Sequence, residues 1–157
     1  MRLEYFQLID RVVDLSVADR KISTEATVPT ASTVFEGHFP GYPLMPGVLL
    51  IEAMAQTSGW LLIALLKFER MPFLAAVKDA KFRTFVVPGM VLAVTATLIH
   101  DGSGYAVTKA NITSGGKAIC DATLTLRTMH FPNEEISQHM RSTAARIGMP
   151  SKVPANG

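Results

Sequence analysis

Between residues 91 and 128 the chain alternates apolar and polar positions with the two-residue period of strands that bury one face. The runs are VLAVTATLI (91–99), GYAVTKANI (104–112) and AICDATLTLRT (118–128), with many β-branched residues. HDGSG (100–104) and TSGGK (113–117) separate them. Their glycines supply the positive φ that a tight reversal needs, so residues 90–129 predict an antiparallel meander. Upstream, FQLIDRVVDLSV (6–17) and KISTEATVP (21–29) predict a first hairpin, and PFLAAVKDAKFR (72–83) predicts a further strand ahead of Pro88-Gly89. One segment has no such alternation. Gly47 to Lys67 is nearly all apolar, and Pro46 suits the first turn of a helix there because its fixed φ is helical and its missing N–H is not required.

At helical rise this segment approaches the thickness of a bilayer. It also carries Glu52, with Gln56, Thr57 and Ser58 a turn later, which would be costly in lipid, and strand-like polar sequence surrounds it. It is therefore read as a helix buried on all sides of a soluble fold, with no membrane span. One apolar helix and five or six strands give an α+β architecture, an antiparallel sheet curled around the helix. Residues 1–130 form this domain and 131–157 a tail. In the tail, Asn133 is placed to cap a short surface helix that has Glu134 and Glu135 in its first turn and basic residues later. The proline-punctuated end after Gly148 is expected to fray.

Composition narrows the function more than the fold. At 157 residues and 48% apolar content the chain fills one ordinary domain. Fifteen basic against 13 acidic residues leave a net charge of +2, too weak a field to point to nucleic acid. A single cysteine, Cys120, excludes an internal disulfide framework and suits a reducing, cytoplasmic setting. The start MRLEYFQLID has no basic region followed by a long apolar run, so no signal peptide is expected.

The chemistry gathers in FEGHFPGYPLMPGVLLIEAMAQ (35–56). Glu52 and Gln56, four apart, share one helical face and present a carboxylate and an amide to the same small space. A buried carboxylate needs either a structural partner, such as Arg83, or a functional cleft. His38 precedes it in a segment made rigid by Pro40, Gly41, Pro43, Pro46 and Gly47. Either it only caps that turn, or it is a base positioned there. The helix start offers unpaired N–H groups, and Gly47 allows a carbonyl oxygen to approach them. Read functionally, these are a base, an acid and an oxyanion site. His100, His130 and His139 are taken as structural, and no metal-ligand spacing links them. Met45 and Met54 are taken as core, and neither a dinucleotide fingerprint nor a nucleophile elbow is present.

GHFPGYPLMPGVLLIEAMAQTSG (37–59) resembles the active-site segment of the 3-hydroxyacyl-acyl carrier protein dehydratases of type II fatty acid synthesis. It combines the H-F-P-G-x-P loop, the M-P-G-V-L helix entry and the I-E-A-M-A-Q turn, and weaker similarity runs from about Phe6 to Arg127. The resemblance implies a hot-dog fold and a homodimer or higher even homo-oligomer, with each site shared between chains. It also implies dehydration of 3-hydroxyacyl-acyl carrier protein to the trans-2-enoyl product, with no cofactor beyond the carrier's phosphopantetheine. By position, His38 resembles the catalytic histidine, Glu52 the catalytic acid and Gly47 the thioester-polarising N–H. Gln56 is expected at the substrate, with Phe39, Val48 and Phe82 lining the acyl tunnel. Lys78, Lys81 and Arg83 would form a basic rim for the acidic carrier.

An imidazole can accept the C2 proton at neutral pH, and a glutamate withdrawn from water can hold a proton or donate one to the departing hydroxyl. Glutamate rather than aspartate at position 52 resembles the dehydratase-only branch. Departures from the family pattern lie at the N-terminus, at Tyr42, at Pro88-Gly89-Met90 and in the longer tail. They imply a specialised member, such as one serving the hydroxylated acyl chains of lipid A. Two other readings use the same fold: an acyl thioesterase, which would hydrolyse acyl-CoA without an enoyl product, and a non-catalytic carrier-binding subunit, active only in a mixed complex.

Overall fold

A computed structural model of the protein describes residues 1–150; the proline-rich end for which fraying is expected lies mostly outside them. After a 3-10 turn at Leu3–Tyr5 the chain forms β1 (Arg11–Ser16), β2 (Lys21–Thr27), a short helix α1 (Thr33–Gly37) and the long helix α2 (Gly47–Leu65). There follow β3 (Arg70–Phe82), β4 (Val91–Asp101), β5 (Tyr105–Ser114), β6 (Lys117–His130) and α3 (Glu134–Arg146). The six strands make one antiparallel sheet in the order β1-β2-β4-β5-β6-β3, wrapped on α2, which is the hot-dog arrangement.

The meander forms where the alternation lies. β4 pairs with β5 and β5 with β6, and Leu92, Val94, Ala96 and Leu98 all point inward, as do Ile112, Leu124 and Leu126 on their partners. Gly115 and Gly116 both take positive φ, 54° and 78°, the geometry of a two-residue hairpin turn between Ser114 and Lys117. The first hairpin is shorter than the sequence implies. β1 begins at Arg11 rather than Phe6, because Leu8 and Ile9 are both buried, which a strand with one solvated face does not allow for consecutive residues.

Nineteen residues of α2 span about 28 Å at 1.5 Å per residue. The helix is long and apolar enough to cross a bilayer, but 67% of its most apolar window is buried within this protein. Its polar core positions are matched across the layer: Thr57 Oγ1 bonds the Ala53 carbonyl and lies 2.9 Å from Thr24 Oγ1 on β2, and Ser58 Oγ lies 2.8 Å from Thr108 Oγ1 on β5. Such satisfied pairs remove the cost of burying a hydroxyl. The first turn escapes burial, with Val48 71% exposed, and Pro46 is the residue before the helix rather than within it.

α3 is capped by Asn133, whose Oδ1 accepts from Ile136 N at 2.9 Å. Although mostly exposed, it buries Ala144, followed by Ile147 and Met149, in the main core, and Val12 N donates to the Ile147 carbonyl at 2.7 Å.

Candidate active site

His38 ends α1 as its C-terminal cap, its backbone N–H donating to the Val34 carbonyl at 3.0 Å. That five-residue helix is not predicted from the sequence. Ser32 starts it by accepting from Val34 N at 3.1 Å, and Glu4 fastens its first turn to the N-terminus, taking hydrogen bonds from Ser32 Oγ (2.6 Å), Thr33 N (3.0 Å) and Thr33 Oγ1 (3.3 Å). These bonds, led by that of Ser32, hold the Glu4 carboxyl below its ordinary range.

Beyond His38 the loop folds on itself. Phe39 and Tyr42 exchange backbone bonds of 3.0 and 2.9 Å across a turn in which Gly41 takes a φ of 72°, and Leu44 N returns to the His38 carbonyl at 2.8 Å. The imidazole is fixed on both sides. Nδ1 lies 2.9 Å from the Leu44 carbonyl, and the ring stacks on Phe39 at 4.2 Å. A carbonyl can only accept, so Nδ1 carries the hydrogen and Nε2 presents its lone pair.

The loop delivers the chain to α2. Pro46 has no side chain that could cap the helix, and no oxygen of the described residues accepts from the N–H of Gly47 or Val48. Gly47 is needed for space: a Cβ there would meet the Phe82 ring at 3.1 Å. Phe39 and Phe82 are each 49% exposed, and with Val48 they form apolar surface around this helix start.

Glu52 is half-buried and opens instead on an apolar groove of about 520 Å³ between α2, the first half of β3, the N-terminal segment and α3. Its Oε1 accepts from Gln56 Nε2 at 3.0 Å. Gln56 also donates to the Phe6 carbonyl at 2.8 Å and accepts from Leu8 N at 3.3 Å. Both amide hydrogens and the oxygen are thus committed within the chain, so Gln56 holds Glu52 while itself lining the same groove. Arg83 is not the partner of Glu52; it pairs with Asp121 on β6. Lys78 and Lys81 stand exposed on β3 beside it and form no ion pair among the described residues.

His38 is not among the residues lining the groove of Glu52. Within the chain the imidazole bonds Leu44 and the carboxylate Gln56, and no hydrogen bond joins the two. The sequence reading also missed the groove's far wall, made by Trp60 and Ile63 of α2 with Met140, Thr143 and Ile147 of the tail. His139 lies at its rim on the exposed side of α3. Among the described residues no three His, Cys, Asp or Glu side chains gather as metal ligands.

The geometry can be set beside known proteins. The FabA-like domain matches residues 2–123. The 3-hydroxyacyl-[acyl-carrier-protein] dehydratase FabZ of Clostridium acetobutylicum is 38% identical over 119 residues, covering 75% of this chain and 84% of that one. The FabZ of Latilactobacillus sakei is 42% identical over the same span and coverage. A hypothetical thioesterase of Streptococcus pneumoniae solved with coenzyme A superposes with a TM-score of 0.61 over 78% of this chain and 88% of that one, at 18% identity, a likeness of fold alone. The match over most of the sheet and all of α2, together with identity near 40% to dehydratases of similar length, places this chain in the FabA-like family, beside the FabZ enzymes.

Proposed function

We propose that the protein is a hydro-lyase that converts 3-hydroxyacyl-acyl carrier protein to the trans-2-enoyl thioester in fatty acid synthesis. The observation that carries this is Glu52, a carboxylate held by Gln56 at the mouth of an apolar groove and without a cationic partner among the described residues. In the reaction His38 Nε2 takes the C2 proton, and that electron pair forms the C2=C3 bond as the C3 hydroxyl leaves with a proton from Glu52. Oε1 already accepts from Gln56, so Oε2 carries the proton that is given up. The N–H of Gly47, at the positive end of α2, stabilises the charge that builds on the thioester oxygen. The step balances without a cofactor, the phosphopantetheine arm serving as tether.

Each site takes His38 from one chain and Glu52 from another. Two observations support a dimer built at β3: His38 does not line the groove on which Glu52 opens, and β3 is a 13-residue edge strand exposing Phe73, Leu74, Val77 and Phe82. A long apolar edge invites pairing with another chain. In such a dimer Phe39, Val48 and Phe82, exposed here, would come to border the acyl path. Lys78 and Lys81, with Arg83 held by Asp121, would steer an acidic carrier to it. A cytoplasmic location belongs to the same reading. Tyr42, Met90 and the tail helix favour a specialised role with hydroxylated acyl chains such as those of lipid A.

The test is to mix two inactive chains. His38→Ala and Glu52→Gln should each lower dehydration by about 10²–10⁴-fold without unfolding the protein. After subunit exchange half of the dimers are mixed, each with one intact site of two, so activity should return to about a quarter of wild type. Near-normal turnover in either single variant would remove that residue from the mechanism, and no recovery despite exchange would mean that each chain carries its own complete site.

A further inference from the structure

α3 lies beyond the residues matched by the FabA-like domain, yet it walls the groove that starts at Glu52. We propose that this helix closes the far end of the acyl path and thereby sets the longest chain the enzyme accepts. The inference rests on the dehydratase reading above and adds the specificity determinant.

Three observations carry it. The groove runs along one face of α2, where Glu52, Ala55, Gln56, Gly59 and Ile63 all line it. From Glu52 to Ile63 is eleven residues, or about 16 Å at 1.5 Å rise. At about 1.3 Å per carbon, the projection of a ~1.5 Å tetrahedral bond, that is room for an extended chain of about a dozen carbons.

The second observation is the position of α3. The Arg141 guanidinium lies 5.2 Å from the centre of the Phe68 ring, just beyond the end of α2, and Ile147 bonds β1 through Val12. The helix is thus held at its middle and just past its C-terminal end, with Met140 beside the first of these points and Thr143 between the two, both lining the groove.

The third is polarity. Met140 and Thr143 are half-buried and Ile147 is buried, while His139 and Arg146 are exposed at the rim, so the wall that α3 gives the groove is apolar inside apart from the Thr143 hydroxyl, with its basic side chain outside. That distribution fits a hydrocarbon chain whose polar head stays at Glu52.

The experiment compares kcat/KM for 3-hydroxytetradecanoyl and 3-hydroxybutanoyl carrier protein. Met140→Trp and Thr143→Trp should each lower the long-to-short ratio by about tenfold or more, the effect of at least one methylene losing its pocket. Met140→Ala should raise it. An unchanged ratio in folded variants overturns the proposal while leaving the dehydratase reading intact. Absence of any enoyl product from the wild type, at either length, overturns that reading instead. A 3-hydroxyacyl pantetheine with a terminal diazirine decides the matter without variants. Photolabelling within residues 139–147 of the wild type supports the placement, and labelling confined to other segments refutes it.

Discussion

Replacing Gly47 with alanine separates the space this residue provides from the fold it belongs to. The added Cβ would sit 3.1, 3.3 and 3.5 Å from three carbons of the Phe82 ring. Carbon pairs are at rest near 3.5–4.0 Å, so the ring must yield by about half an ångström. Phe82 is half exposed on an edge strand and can do so, which puts the cost near the lower end of the ~1–3 kcal/mol typical of overpacking. Against this, alanine in place of glycine favours a helix by up to about 1 kcal/mol, less in the first turn. The net change in stability should lie within about 1 kcal/mol, a shift of roughly 2–4 °C in Tm for a chain of this size. Activity should fall much further. A methyl group and a displaced ring would stand before the Gly47 N–H, and loss of one such donor lowers kcat by about 10²–10³-fold. The assay pairs a melting curve with kcat/KM on a 3-hydroxyacyl carrier, and the double variant Gly47→Ala/Phe82→Ala removes the crowding while keeping the methyl. Activity within threefold of wild type would refute the role of this N–H. A fall of more than about 8 °C in Tm, relieved in the double variant, would show the close approach to be structural.

Two further outcomes follow from groups with displaced titration. Glu4 is held below its ordinary value of 4.5, so the stability it contributes is present above that pH and is lost as pH falls through its lower, folded value. Glu4→Gln should therefore melt below wild type at pH 7, and the gap should close in acid; a gap unchanged between neutral pH and pH 3 would contradict the link between Glu4 and α1. Cys120 is pushed up to about 11, first by burial and then by Asp121, with Arg83 opposing. Its thiolate fraction near neutral pH should be about a hundredfold below that of a free thiol, so iodoacetamide should modify it readily only after unfolding, and equal rates in native and denatured protein would refute its burial.

How much of this could be read from the sequence depended on how locally each feature is determined. The meander from Val91 to His130 was legible because alternation and paired glycines encode strand and turn within a few residues. The opening strand was overextended because Leu8 and Ile9 are apolar for another reason, the seating of the N-terminal segment in the core. The pairing of Gln56 with Glu52 was legible from their spacing, but its backbone partners at Phe6 and Leu8 were not, since they lie 50 and 48 residues away and a carbonyl leaves no mark on composition. The tail was legible in part. Its charges and Asn133 pointed to the helix and its cap, whereas Met140, Ala144 and Ile147 recur at the spacing of one helical face, a stripe that packs against the core and that the surrounding polar residues obscured.

That difference bears on Glu52. In a helix with apolar residues on every side, a carboxylate is tolerated only where the surrounding layers do not close. Here β3 and α3 stand apart from α2 along the face that carries Glu52, Gln56, Gly59 and Ile63, and the gap is the groove itself. The same sequence positions that leave room for a chain therefore place the carboxylate at its head, so the acid and the cavity are set by one helical face rather than by two separate features.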